Sequence, residues 1–474
     1  MPRLTREALH EKITPLLRQL RVPGAAIAAV SNDGTLLLPL GEKIMGGGDA
    51  VGAETTFQIA SLSKAYTATV FARLVDRGLL NWDDKVTSHL PEFRLYDACA
   101  TQMATLRDLL TMRLGLKGEG LMYWGRNTEL GVDVLLNRFR YFEPAAGFRE
   151  AFTYSNPAYT LLAEIAQRKR GKPFGEILRD EIFAPLGMQD SFMQEGVLVG
   201  ERDHAYPHVL IDGEVRTIGS ARCGGRMGES CIYSSARDAE KWLAFHLGFS
   251  GRELVSSKAM AELHRPQTLS APALGHTFIA YCMGWQARDT PLGPIYLHDG
   301  GEFGVASFTV FNPKQRAGVA VYLNLARGAA ARAIGYTVLD LLIGQSGEDR
   351  AATFLDHERQ EDEAMQAMVA QHFSPSSGAD LREDEIVGRY FNPLNGVFVI
   401  EKAGDALQVK ALDGWVFDAS LTALGGGVYE GECRYLGMHA LARKINRVRF
   451  VKDDEGVAIH TLGLGVLRKI NAGV

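Results

Sequence analysis

Residues 65–80 form an apolar stretch that repeats with the period of an α-helix. Its apolar positions fall on two stripes, one made of Ala68, Phe71 and Val75 and the other of Val70 and Leu74. A helix that is apolar on most sides has to be enclosed by other elements, so we expect it at the centre of a large core. Gly78 suits the C-terminal end of this helix, because glycine readily adopts the left-handed conformation found there.

A serine and a lysine stand three residues apart just before this stretch, as Ser61-Leu62-Ser63-Lys64. If a helix begins near Ser61, the two side chains lie on one face and the amine reaches the hydroxyl. A serine hydroxyl is a weak nucleophile until a neighbour takes its proton, and a lysine in a dry site has a pKa lowered toward that task. The pair predicts a reactive serine, although so short a pattern also occurs by chance in many proteins.

The chain has 474 residues, enough for two or three domains, and its 46% hydrophobic and 23% charged residues are ordinary for a globular protein in water. The formal net charge of −5 argues against nucleic acid as a partner. No run approaches the roughly 18 apolar residues of a membrane span. The N-terminus leads into an amphipathic pattern rather than a secretory leader. We therefore expect a cytoplasmic protein without membrane association.

The cysteines are scattered along the chain, at Cys99, Cys223, Cys231, Cys282 and Cys433. Their number is odd and no two of them form a C-x-x-C pair. We therefore expect free thiols in a reducing compartment, with neither a disulfide framework nor a zinc site. No other pattern in the sequence calls for a metal or a cofactor, and we expect none.

Strand patterns stand at both ends of the first 350 residues. A helix at 6–20 is followed by strands at 25–30 and 35–40, and strands at 295–298, 307–311 and 318–323 are followed by a helix at 329–342. Helical patterns dominate between them. This arrangement predicts an α+β fold, an α/β sandwich in which helices flank one antiparallel sheet built from both ends of the domain, with a helical lobe inserted.

The sequence changes character after residue 350. A charged segment leads to Ser374-Pro375-Ser376-Ser377-Gly378, which is typical of a linker. From Ile386 short strands alternate with turns, at 397–400, 407–410, 415–417, 448–451 and 457–459. Regularly spaced short strands predict a small antiparallel barrel. We therefore expect a first domain at 1–350, a helix and linker at 351–385, and a barrel domain at 386–474.

Two more motifs follow Ser61-x-x-Lys64 along the chain, Tyr154-Ser155-Asn156 and His298-Asp299-Gly300. With these three motifs in this order, residues 10–345 resemble the serine β-lactamase and penicillin-binding-protein superfamily, in its class C-like branch of peptidases, amidases and esterases. Flanking segments are similar too, at 22–26, 57–61, 109–111, 152–156, 185–188 and 234–238. The tail from residue 386 resembles the lipocalin-like barrel that some members carry.

The resemblance implies a serine β-lactamase-like fold and a catalytic centre of serine, lysine and tyrosine. Ser61 is then the nucleophile that takes the acyl group, and Lys64 accepts or shuttles its proton. Tyr154 is the second candidate for the base and later the acid for the leaving group. Its phenol has an ordinary pKa near 10 and needs Lys64 close by to act as a base. Because the two groups titrate as a pair, the sequence leaves the choice of base open.

The same resemblance implies that Asn156 hydrogen-bonds the substrate amide, and that the backbone N–H groups of Ser61 and Gly301 form an oxyanion hole. Gly300 precedes Gly301 on the same substrate-binding strand. His298 stands where many relatives have a lysine that binds a substrate carboxylate, and it is mostly neutral near pH 7. The side chain of Asp299 should point to the opposite face of the strand, so we give it no catalytic role.

The H-x-G motif at 298–300 resembles D-stereospecific aminopeptidases and amidases, and also penicillin-binding-type thioesterases that cyclise peptides. We therefore expect a serine hydrolase that acts on a peptide or another small amide substrate through an acyl-enzyme. A thioesterase or cyclase, an acyltransferase and an esterase remain alternatives, since they share every catalytic residue. A binding or scaffold protein on a retired fold is the non-enzyme alternative. The sequence leaves a homo-oligomer open.

Overall fold

The computed structural model describes residues 4–116, 131–194, 202–211, 213–220, 223, 227–270, 279–302, 304–345, 348–374, 381–412, 418–433, 447–462 and 465–470. The helices are α1 Arg6–Gln19, α2 Ser63–Asp76, α3 Val86–His89, α4 Ala98–Met103, α5 Leu106–Leu110, α6 Val132–Arg138, α7 Asn156–Arg170, α8 Phe174–Leu178, α9 Ala184–Leu186, α10 Ala236–His246, α11 Ser257–Leu263, α12 Gly328–Leu342, α13 Arg350–His372 and α14 Glu383–Ile386. Short 3₁₀ turns cover Ala60–Leu62 and Phe139–Tyr141.

The strands of the first part of the chain are β1 Gly24–Ser31, β2 Gly34–Gly41, β3 Phe57–Gln58, β4 Phe192–Met193, β5 His208–Ile211, β6 Glu214–Thr217, β7 Ile232–Ser234, β8 Thr268–Ser270, β9 Ile279–Tyr281, β10 Gln286–Arg288, β11 Ile295–Glu302, β12 Val305–Asn312 and β13 Ala317–Leu323. Those of the second part are β14 Gly388–Asn392, β15 Gly396–Ala403, β16 Ala406–Ala411, β17 Asp418–Gly425, β18 Val428–Cys433, β19 Arg447–Asp453, β20 Gly456–Thr461 and β21 Val466–Ile470.

One antiparallel sheet organises the first part, in the order β2-β1-β13-β12-β11-β10-β9-β8. The N-terminal strand β1 pairs with β13, placing Ala25 opposite Leu323, so both ends of the domain meet in one sheet as the sequence predicts. Side chains of β1 alternate between two cores, with Ala26 and Ala28 in one and Ala25 and Ile27 in the other. Helix α10 packs on β1 and β13, while α12 packs on β12 and β13. The α+β fold with helices flanking the sheet is therefore confirmed.

Helix α2 lies in the larger core, as its sequence predicts. Its side chains Ala68, Val70 and Phe71 have no exposed surface, and Tyr66 stacks on Trp242 with 4.0 Å between ring centroids. The chain leaves the helix through Gly78, whose φ of +67° is the left-handed conformation that glycine tolerates best. The position of α2 in the core fixes the residues at its first turn.

The second part folds into a closed antiparallel barrel, β14 to β21, around an apolar interior that includes Tyr390, Phe398 and Phe450. The barrel is therefore confirmed, although the segment 415–417 lies outside the described residues. Helix α13 connects the two parts. Near its start Phe354 packs in the core behind the sheet, and near its end Val369 packs against barrel residue Val428. The domain boundaries at 350 and 385 stay predictions.

The pairing of the cysteines differs from what the sequence predicts. Cys223 and Cys231 are joined as a disulfide, with Cα atoms 5.7 Å apart, whereas Cys99 and Cys282 are free. The expectation of free thiols throughout is thus wrong for this pair, because the fold brings together two cysteines that no short motif links. Disulfides are typical of oxidising compartments, so the cysteines no longer support the cytoplasmic prediction. Among the described helices, none has both the length and the apolar character needed to cross a membrane.

Candidate active site

The turn that carries Ser61 is held from two sides. Ile59 donates its N–H to the carbonyl of Ile232 at 2.9 Å, and the carbonyl of Ile59 accepts a hydrogen bond from the Ser307 hydroxyl at 2.7 Å. The next residue, Ala60, has a φ of +46°, a conformation that non-glycine residues rarely adopt. Backbone strain of this kind concentrates at functional sites. The 3₁₀ turn then leads into α2, and Ser61 stays partly exposed.

Lys64 lies in the first turn of α2 and has no exposed surface. Its Nζ atom is 3.0 Å from Ser61 Oγ and donates a hydrogen bond to the Glu229 carbonyl at 2.9 Å. The amine also lies 5.0 Å from the centre of the Tyr154 ring. Residues three apart are therefore on one face, as the sequence predicts, and a buried amine contacts the serine hydroxyl directly.

Tyr154 precedes α7, whose N-terminus is capped by the Ser155 hydroxyl at 3.4 Å from the Ala158 N–H. The Tyr154 phenol hydrogen-bonds Ser61, so three candidate catalytic groups meet at the serine hydroxyl. Burial raises the pKa of Tyr154 well above its ordinary value, and the charges of Glu229 and Asp299 add to the rise, while the hydrogen bond with Ser61 opposes it. The phenol therefore keeps its proton at neutral pH.

Strand β11 lies directly against the nucleophile turn. A Cβ atom added at Gly300 would stand 2.4 Å from the Ile59 carbonyl oxygen and 2.1 Å from Ser307 Oγ, so only glycine fits here. The next residue, Gly301, is exposed and has no atom within 4 Å of such a Cβ. Beyond Leu297 the described part of β10 no longer pairs with β11, whereas β12 pairs with it as far as Glu302. Within the described residues, the β10-facing edge of β11 from His298 to Gly301 therefore has no strand partner, and it lies beside the turn that carries Ser61.

His298 is buried beneath this edge, at 2% exposure. Its Nδ1 atom is 2.6 Å from the Asp299 carbonyl oxygen, and its Nε2 atom is 3.3 Å from the Tyr281 hydroxyl. Burial and the nearby Lys64 lower the pKa of His298 to about 4, so the ring is neutral near pH 7. Both nitrogens thus contact protein groups, and the ring centroid lies 6.4 Å from that of Tyr154.

Asn156 is the first residue of α7, two positions after Tyr154, and is partly buried. The structure therefore brings Ser61, Lys64 and Tyr154 into contact and places Gly300 against the turn that precedes Ser61. The catalytic and binding roles of these residues, and of Asn156, Gly301 and His298, stay predictions. Within the described ranges, no group of three or more His, Cys, Asp or Glu side chains is arranged to hold a metal ion.

Several residues that support this site carry no motif in the sequence. Glu229 offers its carbonyl to Lys64, Ser307 holds the Ile59 carbonyl, and Tyr281 contacts His298. Tyr159 is buried behind the site, and its hydroxyl donates to the Leu110 carbonyl at 2.7 Å. Three of these contacts use backbone carbonyls, which every residue has. No local spacing signals the fourth contact, which joins Tyr281 and His298 across 17 positions of the chain.

Comparison with known proteins agrees with this architecture. The family model described as Beta-lactamase matches residues 9–342, well over half of the chain. The chain therefore belongs to the beta-lactamase family, and its fold and recognition as a penicillin-binding-protein-like serine hydrolase are confirmed. The structure of an octameric penicillin-binding protein homologue from Pyrococcus abyssi superposes with a TM-score of 0.64 at 20% identity, covering 98% of this chain and all of that one.

Curated relatives carry related names. Penicillin-binding protein 4 of Amycolatopsis lactamdurans is 28% identical over 63% of this chain and 80% of its own length. Penicillin-binding protein 4* of Bacillus subtilis is 29% identical over 54% of this chain, and unguisins hydrolase ungD of Aspergillus violaceofuscus is 24% identical over 72% of it. The matched segments span only 57% and 65% of these last two relatives.

Proposed function

We propose that the chain hydrolyses peptide or amide bonds through an acyl-enzyme at Ser61, with a preference for a D-residue in the acyl donor. The contact that carries this proposal is the 3.0 Å approach of the buried Lys64 amine to Ser61 Oγ, beside the Tyr154 phenol. In its unprotonated form, an amine at this place accepts the hydroxyl proton as the oxygen attacks.

The acid–base roles follow from which group holds a proton. Because its raised pKa keeps Tyr154 protonated, we assign Lys64 as the base and Tyr154 as the acid that protonates the departing amine. In acylation the Ser61 Oγ–carbon bond forms, the oxyanion is bound by the N–H groups of Ser61 and Gly301, and the carbon–nitrogen bond then breaks. Water next attacks the acyl-enzyme and releases the acid, regenerating Ser61.

The substrate class follows from the charge at His298. A ring with a pKa of about 4 carries no positive charge near pH 7, so it offers no cation for a free carboxylate beside the scissile bond. This disfavours β-lactams and C-terminal carboxylates and favours internal amides, amino-acid amides or esters. The D-preference comes from the likeness of the H-x-G motif to D-aminopeptidases and amidases. The name of the Aspergillus relative, a hydrolase, is consistent with hydrolytic chemistry.

A thioesterase or cyclase, an acyltransferase and an esterase use the same groups and differ in the acyl acceptor or the leaving group. A binding protein on a retired fold is disfavoured, because Ser61, Lys64 and Tyr154 are not only present but in contact. A homo-oligomer stays a prediction, which light scattering tests.

Intact-protein mass spectrometry tests the proposal with a panel of matched L- and D-amino-acid amides, short peptides, esters and thioesters. We expect turnover of amides, faster for the D-series, and none with Ser61→Ala. Turnover confined to esters or thioesters, with transfer of the acyl group to added amines, would contradict amide hydrolysis. It would support the acyltransferase or esterase alternative instead.

A further inference from the structure

Asp299 stands between His298 and the two glycines of β11, and it points away from the nucleophile. Its Oδ1 atom accepts a hydrogen bond from Arg332 Nε at 2.7 Å, and Arg332 lies on α12 behind the sheet. Side chains alternate between the two faces of a strand, so Asp299 faces α12 because its neighbours His298 and Gly300 face the nucleophile. The ion pair thus ties the active-site strand to a helix on the opposite face of the sheet.

The backbone of the same residue fixes His298. The Asp299 carbonyl lies 2.6 Å from His298 Nδ1, and a carbonyl can only accept. Nδ1 therefore carries the proton of the neutral ring, and the Nε2 lone pair accepts from the Tyr281 hydroxyl at 3.3 Å. A shift of the Asp299 peptide would move this histidine and the glycines that follow it together.

This part of β11 packs on the nucleophile turn and pairs with β12. From His298 onward β12 is its strand partner, and the described part of β10 pairs only with residues 295–297. Gly300 and Gly301 have no side chains with which to lock the strand against a neighbour. Helix α12 is well anchored by contrast. Arg327, the residue before its first turn, binds Glu358 of α13 at 3.0 Å, and Tyr336 on the helix stacks on Phe354 with 5.6 Å between centroids.

We propose that Asp299 and Arg332 are positioning residues for catalysis, which hold the Gly301 N–H at the place where the oxyanion develops. The inference rests on the proposed function, because it requires an acylated Ser61. Oxyanion donors act through their fixed position, and misplacement by about 1 Å is enough to slow a reaction about a hundredfold. A pair on the far face can set this position without contacting substrate.

The test uses the full chain and a fluorophosphonate as the probe. Ser61 Oγ bonds to phosphorus, the phosphorus–fluorine bond breaks, fluoride leaves, and the hydroxyl proton passes to Lys64. The phosphoryl oxygen then occupies the oxyanion position. We expect Asp299→Asn and Arg332→Met each to slow this labelling about tenfold. Arg332→Lys should restore part of the rate, and the double variant should be no slower than either single one.

A matched control breaks another ion pair of the same helix. Arg350 Nε binds Asp340 Oδ2 at 2.8 Å, with both side chains as buried as the Asp299 pair or more so. Asp340→Asn should lower the melting temperature by a similar amount and leave labelling unchanged. For any substrate turned over, Asp299→Asn should lower kcat with KM within about twofold.

Two results would overturn the positioning role. One is labelling of Asp299→Asn and Arg332→Met at the wild-type rate. The other is an equal loss in Asp340→Asn, which would reduce the pair to general stabilisation. A wild-type protein that does not label at Ser61 would instead refute the proposed function, and the inference with it, so the two failures are distinguishable.

Discussion

Gly300→Ala introduces a methyl group at the closest approach of β11 to the nucleophile turn. The added Cβ would stand 2.4 Å from the Ile59 carbonyl oxygen, where ordinary van der Waals contact begins at 3.4 Å. The strand and the turn therefore have to separate by about 1 Å, because a backbone oxygen cannot rotate away. The Ser307 hydroxyl, at 2.1 Å, can rotate, but it then loses its 2.7 Å hydrogen bond to Ile59.

Two effects follow from this separation. Overpacking costs about 1–3 kcal/mol of the free energy of unfolding, and the lost hydrogen bond roughly 1 kcal/mol more. A displacement of about 1 Å between Ser61 and the oxyanion donor should slow acylation about a hundredfold. The stability loss appears in urea unfolding, and the rate loss in fluorophosphonate labelling measured well below the unfolding transition.

Gly301→Ala is the matched comparison, because its Cβ meets no atom within 4 Å. We expect this neighbour to unfold at the wild-type urea concentration and to label with a much smaller loss. In the double variant Gly300→Ala/Ser307→Ala the hydroxyl clash is gone and the carbonyl clash remains, so recovery should be partial. Equal labelling rates for Gly300→Ala and Gly301→Ala would refute the close approach of β11 to the serine turn.

The other predictions concern proton transfer. Lys64→Met should slow Ser61 labelling by about 10²–10⁴, the usual contribution of a general base, and an unchanged rate would exclude this role. Tyr154→Phe should impair amide turnover far more than turnover of aryl esters, whose leaving groups need no proton; equal losses would contradict an acid role. Burial lowers the pKa of both His264 and His298 to about 4. As the pH falls below about 6.5, these histidines bind protons in the unfolded chain before they do so in the folded one. The free energy of unfolding therefore keeps its full value above that pH and declines by about 3 kcal/mol per histidine toward pH 4. Urea unfolding at pH 7 and pH 5 measures this decline, which His264→Phe should reduce, and a flat profile would contradict it.

Five of the eight strands of the sheet, β1, β2 and β11 to β13, could be predicted from the sequence because they are rich in apolar residues and bounded by clear turns, whereas the short strands β8 to β10 were not predicted. The helix at 65–80 could also be predicted, and α2 at Ser63–Asp76 differs from that prediction only at its ends. Phe174–Ile182, in contrast, reads as one helix, whereas α8 ends at Leu178 and a π-helical turn covers Arg179–Phe183. There the buried Glu181 pairs with Arg73 of α2, a long-range contact that no local pattern shows.

The candidate site also has parts that the sequence predicts and parts that it does not. Ser61, Lys64 and Tyr154 were found because their side-chain chemistry stands in short ordered motifs. The Glu229 carbonyl and the Cys223–Cys231 disulfide were missed, since their partners are set by the path of the chain and not by local spacing. His298 lies on β11, in the strand that the sequence predicts at 295–298, but its two hydrogen bonds, to Asp299 and Tyr281, depend on tertiary packing.

Intact-protein mass spectrometry after incubation with a fluorophosphonate measures most directly whether Ser61 is a nucleophile activated by its neighbours. We expect one phosphonyl adduct per wild-type chain, located at Ser61 by peptide mapping and absent from Ser61→Ala. Its formation should be much slower in Lys64→Met. No adduct on a folded wild-type protein, or an adduct that persists in Ser61→Ala, would contradict the proposed acyl-enzyme mechanism.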